Sequence, residues 1–197
     1  TKLELDSDNC TKKMLETIKQ IFKHNEFFWR YGRNFKPTVA YTLSSVELSK
    51  EETAVVGRLK ADGFAKTTAF DLFDDLSCYE ELLQATVDLE SRRANDILRA
   101  REEAVSPDPR IGKSFKLSLL GPKPAFEFDS PFARFAFQDR ILRIANAYLG
   151  MYVKLKYFNV WLNFAVDHPP KSSQLWHRDR DDIHILKVFV YLSDVND

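Results

Sequence analysis

The chain has 197 residues, a length that suits one domain with a helical extension. Hydrophobic residues make up 44% of the sequence, which is enough for a sizeable core, yet no apolar run reaches the ~18 residues of a membrane span. The 29 lysines and arginines equal the 29 aspartates and glutamates in number. This balance disfavours a general nucleic-acid-binding protein, because such proteins carry a basic excess.

The two cysteines, Cys10 and Cys78, lie far apart and in no spacing typical of a metal site. A disulfide framework is therefore not expected, and a reducing, cytoplasmic location is the default expectation. The first six residues, TKLELD, contain no apolar segment of the kind found in signal peptides, which agrees with that expectation.

Helix signals dominate the first half of the chain. Ser49 and Glu52 have the spacing of a capping box, and Gly63 is placed to end the helix that they open. A long amphipathic stretch from about Ser77 to Ala104 predicts a further helix. The proline-containing segment Ser106–Pro109 then breaks the chain.

Strand signals follow that break. Alternating apolar residues predict a strand over 115–119, and a second strand-like segment spans 153–163. Between them, Ser130-Pro131 provides an N-cap and a first-turn proline for a helix that would end at Gly150. The apolar run Ile183–Leu192 predicts another strand. Helices followed by antiparallel strands indicate an α+β protein.

His177 and Asp179 are the candidate catalytic and metal-binding residues. On a strand, residues i and i+2 point to the same face, so this imidazole and this carboxylate would converge on one point. Both groups are suitable ligands for Fe(II), and a set of two histidines and one carboxylate leaves positions open for a cosubstrate and O2. The pair supplies two of the three protein ligands of such a site.

The His-x-Asp spacing alone has little specificity. A chance match somewhere in a chain of this composition is common, and His24-Asn25-Glu26 is a second example. That segment lies at the end of an amphipathic helical pattern, where residues two apart do not face each other. A metal site at His24 and Glu26 is therefore disfavoured, and the sequence around His177 decides its interpretation.

The residues around His177 form the sequence QLWHRDRDD over 174–182, followed by KVFVYLSDVND over 187–197. Upstream lie Asp62-Gly63-Phe64 and, over 141–164, a predicted helix, a Leu-Gly turn and a strand. Together these segments resemble the phytanoyl-CoA dioxygenase family of 2-oxoglutarate-dependent oxygenases. The similarity spans about 58–197, and its last ~25 residues carry the most specific motif.

The resemblance implies a double-stranded β-helix (jelly-roll, cupin-like) core with N-terminal and flanking helices. It divides the chain into an N-terminal helical extension, 1–57, and an oxygenase domain, 58–197. His177 and Asp179 would hold Fe(II) together with a distal histidine, and 2-oxoglutarate would bind the iron as cosubstrate. The reaction with O2 would hydroxylate an unactivated C–H bond of a small or medium-sized organic substrate and release succinate and CO2.

In the family that the chain resembles, the distal histidine and a 2-oxoglutarate-binding arginine follow the strand that ends near Asp197. None of His24, His168 or His184 occupies the position of that distal ligand. We therefore expect the third ligand and the remaining strands to lie beyond Asp197, so that the oxygenase domain is C-terminally incomplete in this sequence.

Three further residues are candidates for binding 2-oxoglutarate. Asn159 and Asn163 share a predicted strand face with Trp161, and asparagine is disfavoured in strands. The resemblance implies a polar contact with the cosubstrate near these residues. Lys187 interrupts an apolar run, where a lysine either extends to solvent or points inward to an anion.

Two alternatives to the oxygenase stay open. One is a non-catalytic relative that uses the jelly-roll fold for binding or regulation. The other is an unrelated α+β binding domain in which His177 and Asp179 are structural. The expected partner is a small-molecule substrate, with no nucleic acid and no membrane. The identity of the substrate and the oligomeric state do not follow from the sequence.

Overall fold

The computed structural model of the chain describes residues 25–44, 46–105, 115–166, 169, 175 and 182–193. These residues divide into two units. Unit 1 comprises the described residues of Thr1–Glu47, Ala145–Val153 and Asp179–Val188. Unit 2 comprises the described residues of Leu48–Ile144, Lys154–Arg178 and Phe189–Asp197.

Unit 1 contains two helical segments that follow one another directly. A π-helix, Phe28–Arg33, leads through Asn34 into helix α1, Phe35–Thr42. Asn34 donates twice to the carbonyl oxygen of Trp29, from its backbone N–H at 3.1 Å and from Nδ2 at 2.9 Å. These two bonds satisfy a carbonyl at the end of the wide π-helical turn, where the ordinary α-helical partner is missing.

Unit 2 is mainly helical. Its helices are α2 (Lys50–Asp62), α3 (Ala69–Leu72), α4 (Ser77–Arg92), α5 (Ala94–Val105) and α6 (Pro131–Ala136). Helix α7, Asp139–Leu149, begins in unit 2, and its residues from Ala145 onward belong to unit 1.

The sheet of unit 2 consists, among the described residues, of two antiparallel strands, β1 (Lys116–Ser118) and β2 (Trp161–Asn163). Lys116 lies opposite Asn163, and Ser118 lies opposite Trp161. Two backbone bonds flank the strands, from Leu119 N to Val160 O at 2.8 Å and from Phe164 N to Phe115 O at 2.9 Å.

The prediction of a double-stranded β-helix core is wrong. About 53% of the described residues are helical, and the two strands found among them form a short, open sheet. In the predicted strand 153–163, only Trp161–Asn163 pairs with a neighbour. The run Ile183–Leu192 includes no strand. An alternating pattern shows that a segment could fill one face of a sheet, but it does not supply the partner strands that a sheet requires.

The helix boundaries that depend on local signals are confirmed. Helix α2 begins at the predicted capping box: Ser49 Oγ accepts a bond from Glu52 N at 3.2 Å, and Glu52 Oε2 accepts one from Ser49 N at 2.7 Å. It ends at Gly63, whose φ of +78° lies in the left-handed region that favours glycine. Ser130 and Pro131 open α6 as expected, with Ser130 Oγ accepting from Ala133 N.

Both long predicted helices are interrupted. The stretch Ser77–Ala104 breaks at Arg93, whose guanidinium donates from Nη1 to the carbonyl oxygen of Leu119 at 2.8 Å. The helix expected from Ser130 to Gly150 breaks at Phe137 and Gln138, between α6 and α7. Apolar periodicity continues through both breaks, so the sequence pattern does not reveal them.

None of the helices in the described part of the chain is both long and apolar enough to cross a membrane.

The side chain of Glu52 organises one end of α2. It is 0% exposed, and its Oε1 accepts bonds from Arg143 Nε at 2.9 Å and Nη2 at 2.7 Å, while Oε2 caps the helix. Arg140 contacts the same helix end through Ser49 Oγ at 3.3 Å and forms an ion pair with Asp74. A buried carboxylate is stable only with such partners, so Glu52 links the start of α2 to α7.

We expect Glu52→Ala to lower the free energy of unfolding by about 3 kcal/mol, because it removes the cap and leaves Arg143 without its buried partner. Denaturant unfolding followed by far-UV circular dichroism measures the loss. Glu51→Ala is the matched control, since Glu51 is exposed, and its loss should be much smaller. Equal losses in the two variants would contradict this role for Glu52.

Candidate functional site

The two predicted metal ligands, His177 and Asp179, lie outside the described residues, as do His24 and His168. The described residues that lie nearest to the pair downstream in the chain begin at Asp182, in unit 1. The contacts of Asp182 are the hydrogen bonds and the ion pair described nearest to the motif on its downstream side.

Asp182 is held by the π-helix. Its Oδ1 accepts a bond from the indole Nε1 of Trp29 at 2.8 Å and one from the backbone N–H of Ile183 at 2.8 Å. The guanidinium of Arg33 lies 3.5 Å from the same oxygen. Trp29 is 3% exposed, and a buried indole N–H needs an acceptor, which this carboxylate provides. The segment after the motif is thus fixed to one helical turn.

The geometry of the π-helix allows this arrangement. Trp29 and Arg33 are four residues apart, and both side chains reach the same oxygen of Asp182. Single turns of π-helix occur frequently at functional sites. Arg33, in the last turn of the π-helix, also places positive charge beside the carboxylate.

His184 lies on the other side of Trp29. The two rings meet edge to face, with centroids 5.0 Å apart and an interplanar angle of 69°. His184 Nε2 lies 3.5 Å from Glu26 Oε1, and both side chains are substantially exposed. The Glu26 of the disfavoured His24-x-Glu26 pattern therefore has an imidazole neighbour from a distant part of the sequence.

Asn159 is half-buried, and one of the two polar atoms of its side-chain amide lacks a hydrogen-bond partner among the described residues. Its Nδ2 donates to the carbonyl oxygen of Gly121 at 2.8 Å. Its Oδ1 is buried and has no hydrogen-bond partner within the described ranges. A buried amide oxygen without a donor calls for a hydrogen-bond donor such as water or a ligand N–H or O–H. A carboxylate of 2-oxoglutarate cannot fill that role, because it only accepts hydrogen bonds.

Asn163 is exposed at the end of β2, directly opposite Lys116. The neighbouring Trp161 is covered on one ring face by the ammonium group of Lys116, with Nζ 3.8 Å from the ring centroid. This is a cation–π contact at an exposed site. Asn163 thus stands beside one positive charge, a setting in which its amide can contact an anion.

Lys187 is exposed and belongs to unit 1, whereas Asn159 and Asn163 belong to unit 2. The proposed cosubstrate contacts therefore fall in different units. The structure brings Asn159 and Asn163 into one unit, near and within β2.

In the part of the chain that the structure describes, no three His, Cys, Asp or Glu side chains are placed to hold a metal ion together. His177 and Asp179 are not among those residues, so this observation does not bear on them.

Unit 2 contains a cavity of about 470 Å³ between the start of α4, α6 and the residues that follow α6. Its lining residues are Ser77, Cys78, Glu81, Phe128, Arg134, Phe137 and Gln138. Burial raises the pKa of the Cys78 thiol, while a hydrogen bond from the Gln138 side chain opposes that rise. The thiol therefore stays protonated at neutral pH.

Sequence reasoning missed Trp29 as a partner of Asp182. No local pattern in the sequence connects Asp182 with Trp29. The two residues are 153 positions apart in the chain, so periodicity and capping rules contain no information about the contact.

Trp29→Phe should lower the free energy of unfolding by about 1–2 kcal/mol, because the ring is kept while the bond to the Asp182 carboxylate is lost. Hydrogen exchange at the Ile183 amide should rise in the same variant, since this amide shares the acceptor. Trp161→Phe, at an exposed ring, is the control and should leave exchange at Ile183 unchanged. Unchanged exchange in Trp29→Phe would show that the indole bond does not hold this segment.

The pH profile of Cys78 alkylation provides a second test. Iodoacetamide reacts with the thiolate, so a raised pKa moves the midpoint of the rate profile to higher pH than that of the same cysteine in an unfolded peptide with the sequence around Cys78. Mass spectrometry of the peptide that contains Cys78 measures the rate. A midpoint at or below that of the unfolded peptide would contradict the burial of this thiol.

Comparison of the chain with protein-family models, with curated proteins and with solved structures found no match. The resemblance of the His177 region to the phytanoyl-CoA dioxygenase family therefore stays a prediction from sequence motifs.

Proposed function

We propose that this chain carries the metal-binding motif of an Fe(II)- and 2-oxoglutarate-dependent oxygenase that hydroxylates an unactivated C–H bond. The observation that carries the proposal is the motif Trp176-His177-Arg178-Asp179 in its resemblance to the phytanoyl-CoA dioxygenase family. The substrate would be a small or medium-sized organic molecule, and neither nucleic acid nor a membrane is a partner in this proposal.

The donor chemistry fits the metal. A neutral imidazole from His177 and a carboxylate from Asp179 are two of the three ligands in the facial set that Fe(II) oxygenases use. The resemblance implies a distal histidine as the third ligand. When bound, iron and 2-oxoglutarate supply the oxidising chemistry, in which O2 is consumed and succinate and CO2 are released.

The fixed position of Asp182 supports the proposal. Asp182 follows Asp179 by three residues, and its bonds to Trp29 and to Ile183 N, with the Arg33 ion pair, restrict the chain where it leaves the motif. Metal ligands perform well when neighbouring bonds hold them in place. Trp29 and Arg33 would in this way act on the ligand segment through Asp182.

The three side chains proposed to bind 2-oxoglutarate differ in the hydrogen bonds that they can form. Asn163 and Lys187 are exposed and can donate hydrogen bonds to a carboxylate. Asn159 already donates to Gly121 O, and its Oδ1 lacks a donor among the described residues. Asn159 is therefore better suited to a hydroxyl or amide group of a substrate than to 2-oxoglutarate.

A reducing, cytoplasmic setting belongs to the same proposal. Cys78 is a free thiol, and the wide separation of Cys10 and Cys78 in sequence supports a chain without a disulfide framework. Fe(II) is also maintained more readily where thiols stay reduced.

Anaerobic addition of Fe(II) and 2-oxoglutarate to the full-length protein should give a weak visible charge-transfer band. His177→Ala and Asp179→Ala should each abolish the band, because each removes one ligand. His168→Ala is the matched histidine control and should retain it. Absorption spectroscopy under anaerobic conditions measures all four proteins.

The same experiment separates the alternatives. A band that survives Asp179→Ala would show that this carboxylate is not a ligand. Metal binding without succinate formation from 2-oxoglutarate under O2 would indicate a non-catalytic relative. No band and no bound metal in the unsubstituted full-length protein would contradict the proposed function.

A further inference from the structure

The cavity of unit 2 is lined by two stacked aromatic rings, called the aromatic wall below, and by an ion pair whose two charges cancel. Phe128 and Phe137 stack with centroids 5.7 Å apart and an interplanar angle of 26°. Arg134 Nη2 lies 2.7 Å from Glu81 Oε2, and both of these side chains are about half exposed. All four residues line the cavity of about 470 Å³. That volume lies in the range of small-molecule sites, which pair apolar walls with a few convergent polar groups.

The aromatic wall is more exposed to solvent than large apolar side chains usually are. Phe128 is 73% exposed although it is a large apolar residue, and its partner Phe137 is only half-buried. Exposed aromatic rings that form part of a concave surface gain contact area when another ring stacks on them. An aromatic occupant would therefore remove water from Phe128 without any rearrangement of the helices.

The charged groups that line the cavity neutralise each other, which disfavours the binding of an ionic ligand. Arg134 and Glu81 neutralise each other, and the Cys78 thiol carries no charge at neutral pH. A free anion or cation would therefore meet no net opposite charge in the lining, whereas an uncharged molecule requires none. Glu81 meets Arg134 through Oε2, and its other oxygen, Oε1, can accept a bond from a ligand N–H.

We propose that this cavity binds an uncharged aromatic ligand that carries an N–H donor. The ring stacks on Phe128, and the N–H donates to the carboxylate of Glu81. This site is independent of the His177 and Asp179 motif and of the proposed oxygenase function.

The alkylation rate of Cys78 reports whether a ligand occupies the cavity, because its half-buried thiol lines the same cavity. Indole is the probe, and 1-methylindole is the matched probe that keeps the ring system but lacks the N–H. A ligand of this size should bind with a dissociation constant on the order of 1 mM. Iodoacetamide alkylation of Cys78 in the full chain is followed by mass spectrometry of its peptide, with N-acetylcysteine in the same tube as the reagent control.

We expect indole to slow alkylation of Cys78 severalfold at saturation and 1-methylindole to slow it much less. Phe128→Ala should abolish the protection. Phe70→Ala is the control, because Phe70 is equally exposed at 76% but does not line the cavity. Both exposed positions tolerate truncation, and thermal unfolding verifies that each variant is folded.

Glu81→Ala separates the two parts of the proposal. It should reduce protection by indole to the level given by 1-methylindole, because it removes the acceptor but leaves the ring wall. No protection by indole, or protection that persists in Phe128→Ala, would overturn the site. Equal protection by both probes would overturn the assignment of an N–H donor to the ligand.

Discussion

A fully buried carboxylate constrains unit 2 more than any other single group that we have described. Glu52 is 0% exposed, and a charge in that position is stable only if donors surround it. Its donors come from the backbone of Ser49 and from Arg143, so one side chain caps α2 and ties it to α7. In unit 1, a carboxylate likewise pairs with a buried group: Asp182 accepts a hydrogen bond from the buried indole N–H of Trp29.

The features that could be predicted from the sequence are those fixed by residues close together in the chain. The capping box of Ser49 and Glu52, the N-cap at Ser130 and the turn glycine Gly63 act within one or two helical turns. Gly150 follows the last helix with a φ of +67°, as a helix-ending glycine does. Such signals are physical constraints on the local backbone, and the structure confirms them.

The features that could not be predicted depend on distant partners. The alternating stretch 153–163 has the pattern of a strand, but only three of its residues find a neighbouring strand in the described part of the chain. Arg93, at the break between α4 and α5, bonds to the carbonyl oxygen of Leu119, and Asp182 bonds to Trp29. The jelly-roll prediction was also wrong. It came from a resemblance of sequence motifs, which contains no information about which strands pair.

The proposed oxygenase therefore depends on motif chemistry and not on fold. His177 and Asp179 provide the ligand types that Fe(II) requires, and the bonds of Asp182 hold the chain that follows them. Anaerobic calorimetric titration of the full-length protein with Fe(II) tests this most directly. The account predicts saturable binding of one iron per chain that disappears when both His177 and Asp179 are replaced by alanine. Binding of equal strength in the doubly substituted protein, or none in the unsubstituted full-length protein, would contradict it.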